Sequence, residues 1–120
     1  MTVRRLKTYA AQTGFVYDYY YVGKRAALDS DPLAPSTEYV FDVSADRKSL
    51  VAVSIFLSQK TVDTYVAEHG GPLSDPELYA AVKLRLLKAL DETSDMRQYG
   101  RRFALDVVGL ADLLESIGIE

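Results

Sequence analysis

Residues Phe15 to Val22 read Phe-Val-Tyr-Asp-Tyr-Tyr-Tyr-Val and hold four of the chain's nine tyrosines. β-Branched and aromatic side chains fit a pleated, half-buried surface, and successive residues of a strand point to opposite faces. The run therefore commits the chain to a sheet and loads one strand with aromatic surface. It carries no chemistry that by itself defines an activity.

Two hairpins follow from this strand. Residues 3–11 and 15–25 flank Gln12-Thr13-Gly14, with a glycine available for a positive φ. A two-residue turn at Thr13-Gly14 sets Ala10 opposite Tyr17, Thr8 opposite Tyr19 and Leu6 opposite Tyr21. Those pairs and Phe15 then share the core face. The solvent face displays Arg5, Lys7, Tyr9, Tyr20 and Lys24, with Asp18 as its one opposing charge. A slip of one residue exchanges the two faces, so the assignment rests on the turn. Asp29 to Ser36, with two prolines, reads as a loop. Glu38 to Val43 alternates with Tyr39, Phe41 and Val43 on one side. After a polar turn, Leu50 to Leu57 returns with Val51, Val53, Ile55 and Leu57 inward.

The second half is helical. Ser58 caps a helix from about Gln59 to His69 that Gly70-Gly71-Pro72 ends. Ser74-Asp75-Pro76-Glu77 combines an N-cap, a proline in the first turn and a glutamate at the capping-box position, ahead of a stripe from Leu78 to Ala89. The tail has two readings. Met96, Tyr99, Phe103, Val107, Leu110, Leu114 and Ile117 step by three or four, which favours one long helix over residues 95–117. The rival makes Arg101 to Leu105 a short strand, with Asp106 capping a helix from Val107 to Ile117. Together these elements predict one α+β domain over residues 1–120, an antiparallel sheet of about four strands with two or three helices packed on one face.

Composition narrows the function. A chain of 120 residues with 48% apolar and 26% charged residues can bury a core unaided. The absence of cysteine excludes disulfides, thiolate metal sites and a cysteine nucleophile. A net charge of −3 argues against a dedicated nucleic-acid binder. No apolar run approaches a membrane span, and the first residues lack a signal-peptide core, so a cytoplasmic chain with no membrane partner is expected.

Motifs for chemistry are missing. No phosphate-binding glycine loop, nucleophile elbow or zincin helix occurs. His69, the single histidine, falls at a predicted helix C-terminus, where an imidazole can bond the last carbonyls; Glu68 and Asp63 offer no recognised metal-ligand spacing. The acidic groups Asp29/Asp31, Asp42/Asp46 and Asp91/Glu92/Asp95 fall at turns and a helix end. No cofactor and no metal are expected.

The reading favoured on these grounds is a non-catalytic protein-interaction or self-associating module, a homodimer or a binder of some other protein. Its candidate surface is Tyr17, Tyr19, Tyr20, Tyr21, Leu110 and Leu114. One alternative is a small-molecule-binding protein or enzyme with a pocket lined by the three inner tyrosines, whose hydroxyls each need a partner when buried. A second is a weak single-stranded nucleic-acid binder. It would use Arg5, Lys7 and Lys24 beside tyrosine rings, with Arg101 and Arg102 as further anion contacts.

Overall fold

A computed structural model of the chain describes residues 6–28, 35–45, 48–93 and 102–119. Among them, five strands and three helices follow one another in the order β1 (Lys7–Ala10), β2 (Val16–Ala26), β3 (Ser36–Ser44), β4 (Val51–Ser58), α1 (Gln59–His69), α2 (Asp75–Glu92), β5 (Arg102–Ala104) and α3 (Val107–Ser116). The sheet order is β1-β2-β3-β4-β5. The first four strands form an antiparallel meander, and β5 lies parallel to β4 at the far edge. A parallel neighbour needs a crossover, and α1 and α2 supply it.

Alternation in the strands divides the sheet cleanly. Tyr17, Tyr19, Tyr39, Phe41, Val43, Val53, Ile55 and Leu57 bury one face against Tyr65, Ala81, Val82, Leu86, Ala89, Leu90, Leu110 and Leu114 of the helices. All three helices thus serve one core on one side. Among the described residues, no helix is long and apolar enough to cross a membrane.

The helix ends obey their local signals. The Ser58 hydroxyl accepts from the Thr61 amide at 3.0 Å, and Gly70 closes α1 with φ of 82°. Ser74 and Glu77 form the reciprocal capping box at the start of α2. The tail takes the strand-plus-helix form, not the long helix that its stripe favours. Asp106 accepts from the Gly109 amide at 2.7 Å and starts α3. A Cβ at residue 109 would meet that Asp106 oxygen at 3.1 Å. Gly109 is therefore the residue that lets the cap close, and not a flaw in a longer helix.

The first hairpin departs from the two-residue turn. Ala11 pairs with Phe15 through a 2.9 Å bond from its amide, and the Gly14 amide donates to the Ala11 carbonyl at 3.1 Å. Gly14 has φ of 95°. This is a three-residue loop, a type I turn closed by a left-handed glycine. The competing Thr13-Gly14 type I′ turn would require positive φ at Thr13, where a β-branched side chain is strongly disfavoured. The register accordingly sets Lys7 opposite Tyr19, Thr8 opposite Asp18, Tyr9 opposite Tyr17 and Ala10 opposite Val16.

One residue of slip turns β1 over. Lys7 and Tyr9 share the helix-facing side with Tyr17 and Tyr19, while Thr8 joins Asp18 on the other side. A bulge between Tyr21 and Gly23 does the same to Lys24, which lies opposite Tyr39 on the helix side. The predicted basic outer face is corrected by these two features: of its described members, Tyr20 and Asp18 stay there, and neither is a cation.

Candidate functional cleft on the uncovered face

The sheet face away from the helices carries two polar groups at opposite ends. Toward β5, Arg25 donates to Glu38 at 3.0 and 3.4 Å, and the Ser54 hydroxyl donates to the same carboxylate at 2.6 Å. The bonds from Arg25 and then Ser54 hold Glu38 below the usual glutamate value, against the opposing effect of burial. Arg102 lies over the Phe56 ring at 4.8 Å. This end ties up its charges within the sheet: the Glu38 carboxylate is committed to Arg25 and Ser54.

The other end is a cleft. Adjacent strands bring Thr8, Asp18 and Ser44 into one cross-strand row. Asp18 is 7% exposed and Ser44 is 4% exposed, although both point away from the helical core. Thr8 donates its hydroxyl to Asp18 at 2.8 Å. Leu6 and Leu50, 62% and 58% exposed, stand on either side, and Lys48 from the β3–β4 connection completes the lining. The volume of this half-open cleft is about 430 Å³, within the range of small-ligand clefts. A buried carboxylate and hydroxyl at the floor, under exposed leucine walls, can orient a polar head group and shelter an apolar body.

The residues singled out from the sequence fall elsewhere. Tyr17 and Tyr19 are core residues, and Tyr21 is half-buried with ring contacts to Phe41 at 5.4 Å and Tyr79 at 4.9 Å. The 430 Å³ cleft is lined by none of them. Leu110 and Leu114 are fully buried beneath the sheet, so α3 offers them to the core and not to a partner. Tyr20 is half-buried on the uncovered face opposite Asp42. Lys24 pairs with Asp75 at 3.8 Å and lies 5.8 Å from the Tyr39 ring centre. Arg102 sits at the β5 edge, and Arg5 and Arg101 lie outside the described residues. His69 bonds the Tyr65 carbonyl through Nδ1 at 3.0 Å and stacks on its ring, as a helix-end residue does.

Ser44, Lys48 and Leu50 carry no signal as single residues. Asp18 does: it is the one acid in an aromatic strand, and such a charge needs either solvent or a polar pocket. Comparison of the chain with known protein families, curated proteins and solved structures finds no match.

Proposed function

We propose that this chain is a binding domain for a small molecule that places a hydrogen-bond-donating head group on Asp18 and Ser44 and an apolar body between Leu6 and Leu50. The observation that carries the reading is the pairing of a buried carboxylate with exposed leucines around one cleft, on the side of the sheet that the helices leave uncovered. Polar residues that only solubilise a sheet face stand in water. Here they form a floor.

The test is a two-dimensional amide NMR titration with hexylamine, a primary amine on a six-carbon chain. The amides of Thr8, Asp18 and Ser44 should shift together and saturably at millimolar ligand. Asp18→Asn should abolish the response while leaving the spectrum folded. Shifts scattered over the surface, or an unchanged titration in Asp18→Asn, would end this reading.

A second reading is self-association over the same face. Leu6 and Leu50 favour it, since two large exposed apolar residues on one side of a small domain suit a contact with another chain. Light scattering over a hundredfold concentration range separates the two, because Leu50→Ser would dissociate a dimer and leave a monomer's mass unchanged.

A further inference from the structure

Two lysines meet on the helix-facing side of the β1 edge. The hairpin register sets Lys7 directly across from Tyr19. Lys83 follows Tyr79 by one helical turn on α2, the helix that Tyr9 of β1 bonds through Asp91, and its ammonium comes within reach of Lys7. Tyr79 lies against β2, its ring 4.9 Å from that of Tyr21, and is close enough to act on the Tyr19 phenol. Two ammonium groups and two phenols therefore gather where β1 faces α2.

Among the described residues, no ion pair is formed by either lysine. Two acids of the sheet and of α2 are engaged elsewhere, Asp75 with Lys24 and Glu38 with Arg25. Asp91 lies on the same flank of α2, about 12 Å further along the helix axis. It is already committed to the Tyr9 hydroxyl and the Gln12 amide. Burial first, and then the charge of Lys7, hold the Lys83 ammonium below the ordinary lysine value. Burial also raises the Tyr19 and Tyr79 phenols, which stay protonated as donors at neutral pH.

The cluster is rich in donors. Each ammonium has three N–H groups and no acceptor, and each phenol adds an O–H. An anion with several oxygens arranged around one centre satisfies donors arriving from two facing elements better than a planar carboxylate does. Its charge would also relieve the repulsion between the lysines. We propose that Lys7, Lys83, Tyr19 and Tyr79 form a site for a phosphate-type oxyanion between β1 and α2.

Isothermal titration calorimetry with inorganic phosphate and with glycerol 3-phosphate tests the site in the full chain. Lys83→Met and Lys7→Met should each weaken binding by about tenfold, the loss of one charge-assisted hydrogen bond. Lys88→Met, which removes an exposed lysine of the same helix, should change it by less than about twofold. Tighter binding of glycerol 3-phosphate would assign the site to an organic phosphate, and equal binding would assign it to the free ion. Without phosphate, Lys83→Met should melt no lower than the parent, since it relieves repulsion; Lys7→Met alters an exposed position and keeps the test readable however the Lys83 variant folds. The proposal is overturned if neither anion binds the parent chain, or if Lys88→Met weakens binding as much as Lys83→Met and Lys7→Met do.

Discussion

Asp91 ties the first hairpin to α2, and its removal should loosen the whole β1 edge. Its two oxygens take the Tyr9 hydroxyl at 3.0 and 2.8 Å, and one of them also takes the Gln12 backbone amide at 2.9 Å. These are the side-chain bonds that hold the hairpin end to the helix layer. A hydrogen bond to a charged group contributes about 1.5–3 kcal/mol net. Both donors here are partly solvated, so the lower end applies to each. Against that, Asp91 occupies the last turn of α2, where a carboxylate opposes the macrodipole by about 0.3–1 kcal/mol. Asp91→Ala should therefore cost about 2 kcal/mol. For a chain of 120 residues that corresponds to a melting temperature lower by about 8 °C. Urea unfolding of the parent, Asp91→Ala, Tyr9→Phe and the double variant forms a cycle, in which Tyr9→Phe should cost about 1.5 kcal/mol alone and almost nothing beside Asp91→Ala.

The same bond predicts an alkaline signature. The hydrogen bond to Asp91 first, then burial and the Asp91 charge, raise the Tyr9 phenol above its ordinary value of 10.0. The folded chain thus keeps that proton to higher pH than the unfolded chain does. The contribution is complete below the unfolded value and is lost as pH rises through the folded one. The stability gap between the parent and Asp91→Ala should narrow above pH 10.0. A cost for Asp91→Ala under about 0.5 kcal/mol, or an undiminished Tyr9→Phe effect in the Asp91→Ala background, would refute the tether.

Three further expectations follow from the fold and its charge pairs. Gly14→Ala meets no atom within 4 Å but must hold φ of 95°, so urea titration should show a loss of about 1–2 kcal/mol from conformation alone. Leu110→Ala opens a fully buried site and should cost about 2–5 kcal/mol without changing the mass in light scattering; a change of mass with little loss of stability would instead make α3 an interface. Glu38→Gln should be less stable than the parent at neutral pH and match it well below 4.5. The depressed folded value of Glu38 means that its contribution is present above the unfolded value and lost as acid protonates it; a gap that persists in acid would place the stabilisation elsewhere than in the carboxylate.

Local chemistry made most of the architecture legible. Ser58 and Gly70 bound α1, and the Ser74–Glu77 capping box opens α2, because each signal acts within one turn of chain. The inward faces of β3 and β4 follow from simple alternation, as the burial of Phe41, Val53 and Ile55 shows. β5 was legible only as the rival reading of the tail, for a different reason. Phe103 fits the helical stepping as well as it fits a strand, and the choice is made by β4, whose Ser54, Ile55 and Phe56 pair with Arg102, Phe103 and Ala104. Only the return of the chain through α1 and α2 brings those partners together. The cleft was hidden in the same way, since Thr8, Asp18 and Ser44 come from three strands, and the first turn decides whether Thr8 joins the other two.

That dependence can be tested at Thr13. Asn-Gly is the strongest sequence for a two-residue type I′ turn, because asparagine tolerates the positive φ that threonine resists. Thr13→Asn should therefore open the competing register, in which Thr8 faces the helices and Lys7 faces solvent. The slipped form gives up the Asp91 tether, worth about 2 kcal/mol, and regains about 1 kcal/mol from the turn, so it should reach roughly a tenth of the population. A second set of amide signals for residues of β1 and β2 would report it. Asp91→Ala added to Thr13→Asn removes the opposing term, and the slipped set should become the major one. In that form Asp18 loses Thr8 and Lys83 loses Lys7, so hexylamine and phosphate binding should weaken together although their sites lie on opposite faces. A single set of signals in the double variant would show that core packing, and not the turn, fixes the register.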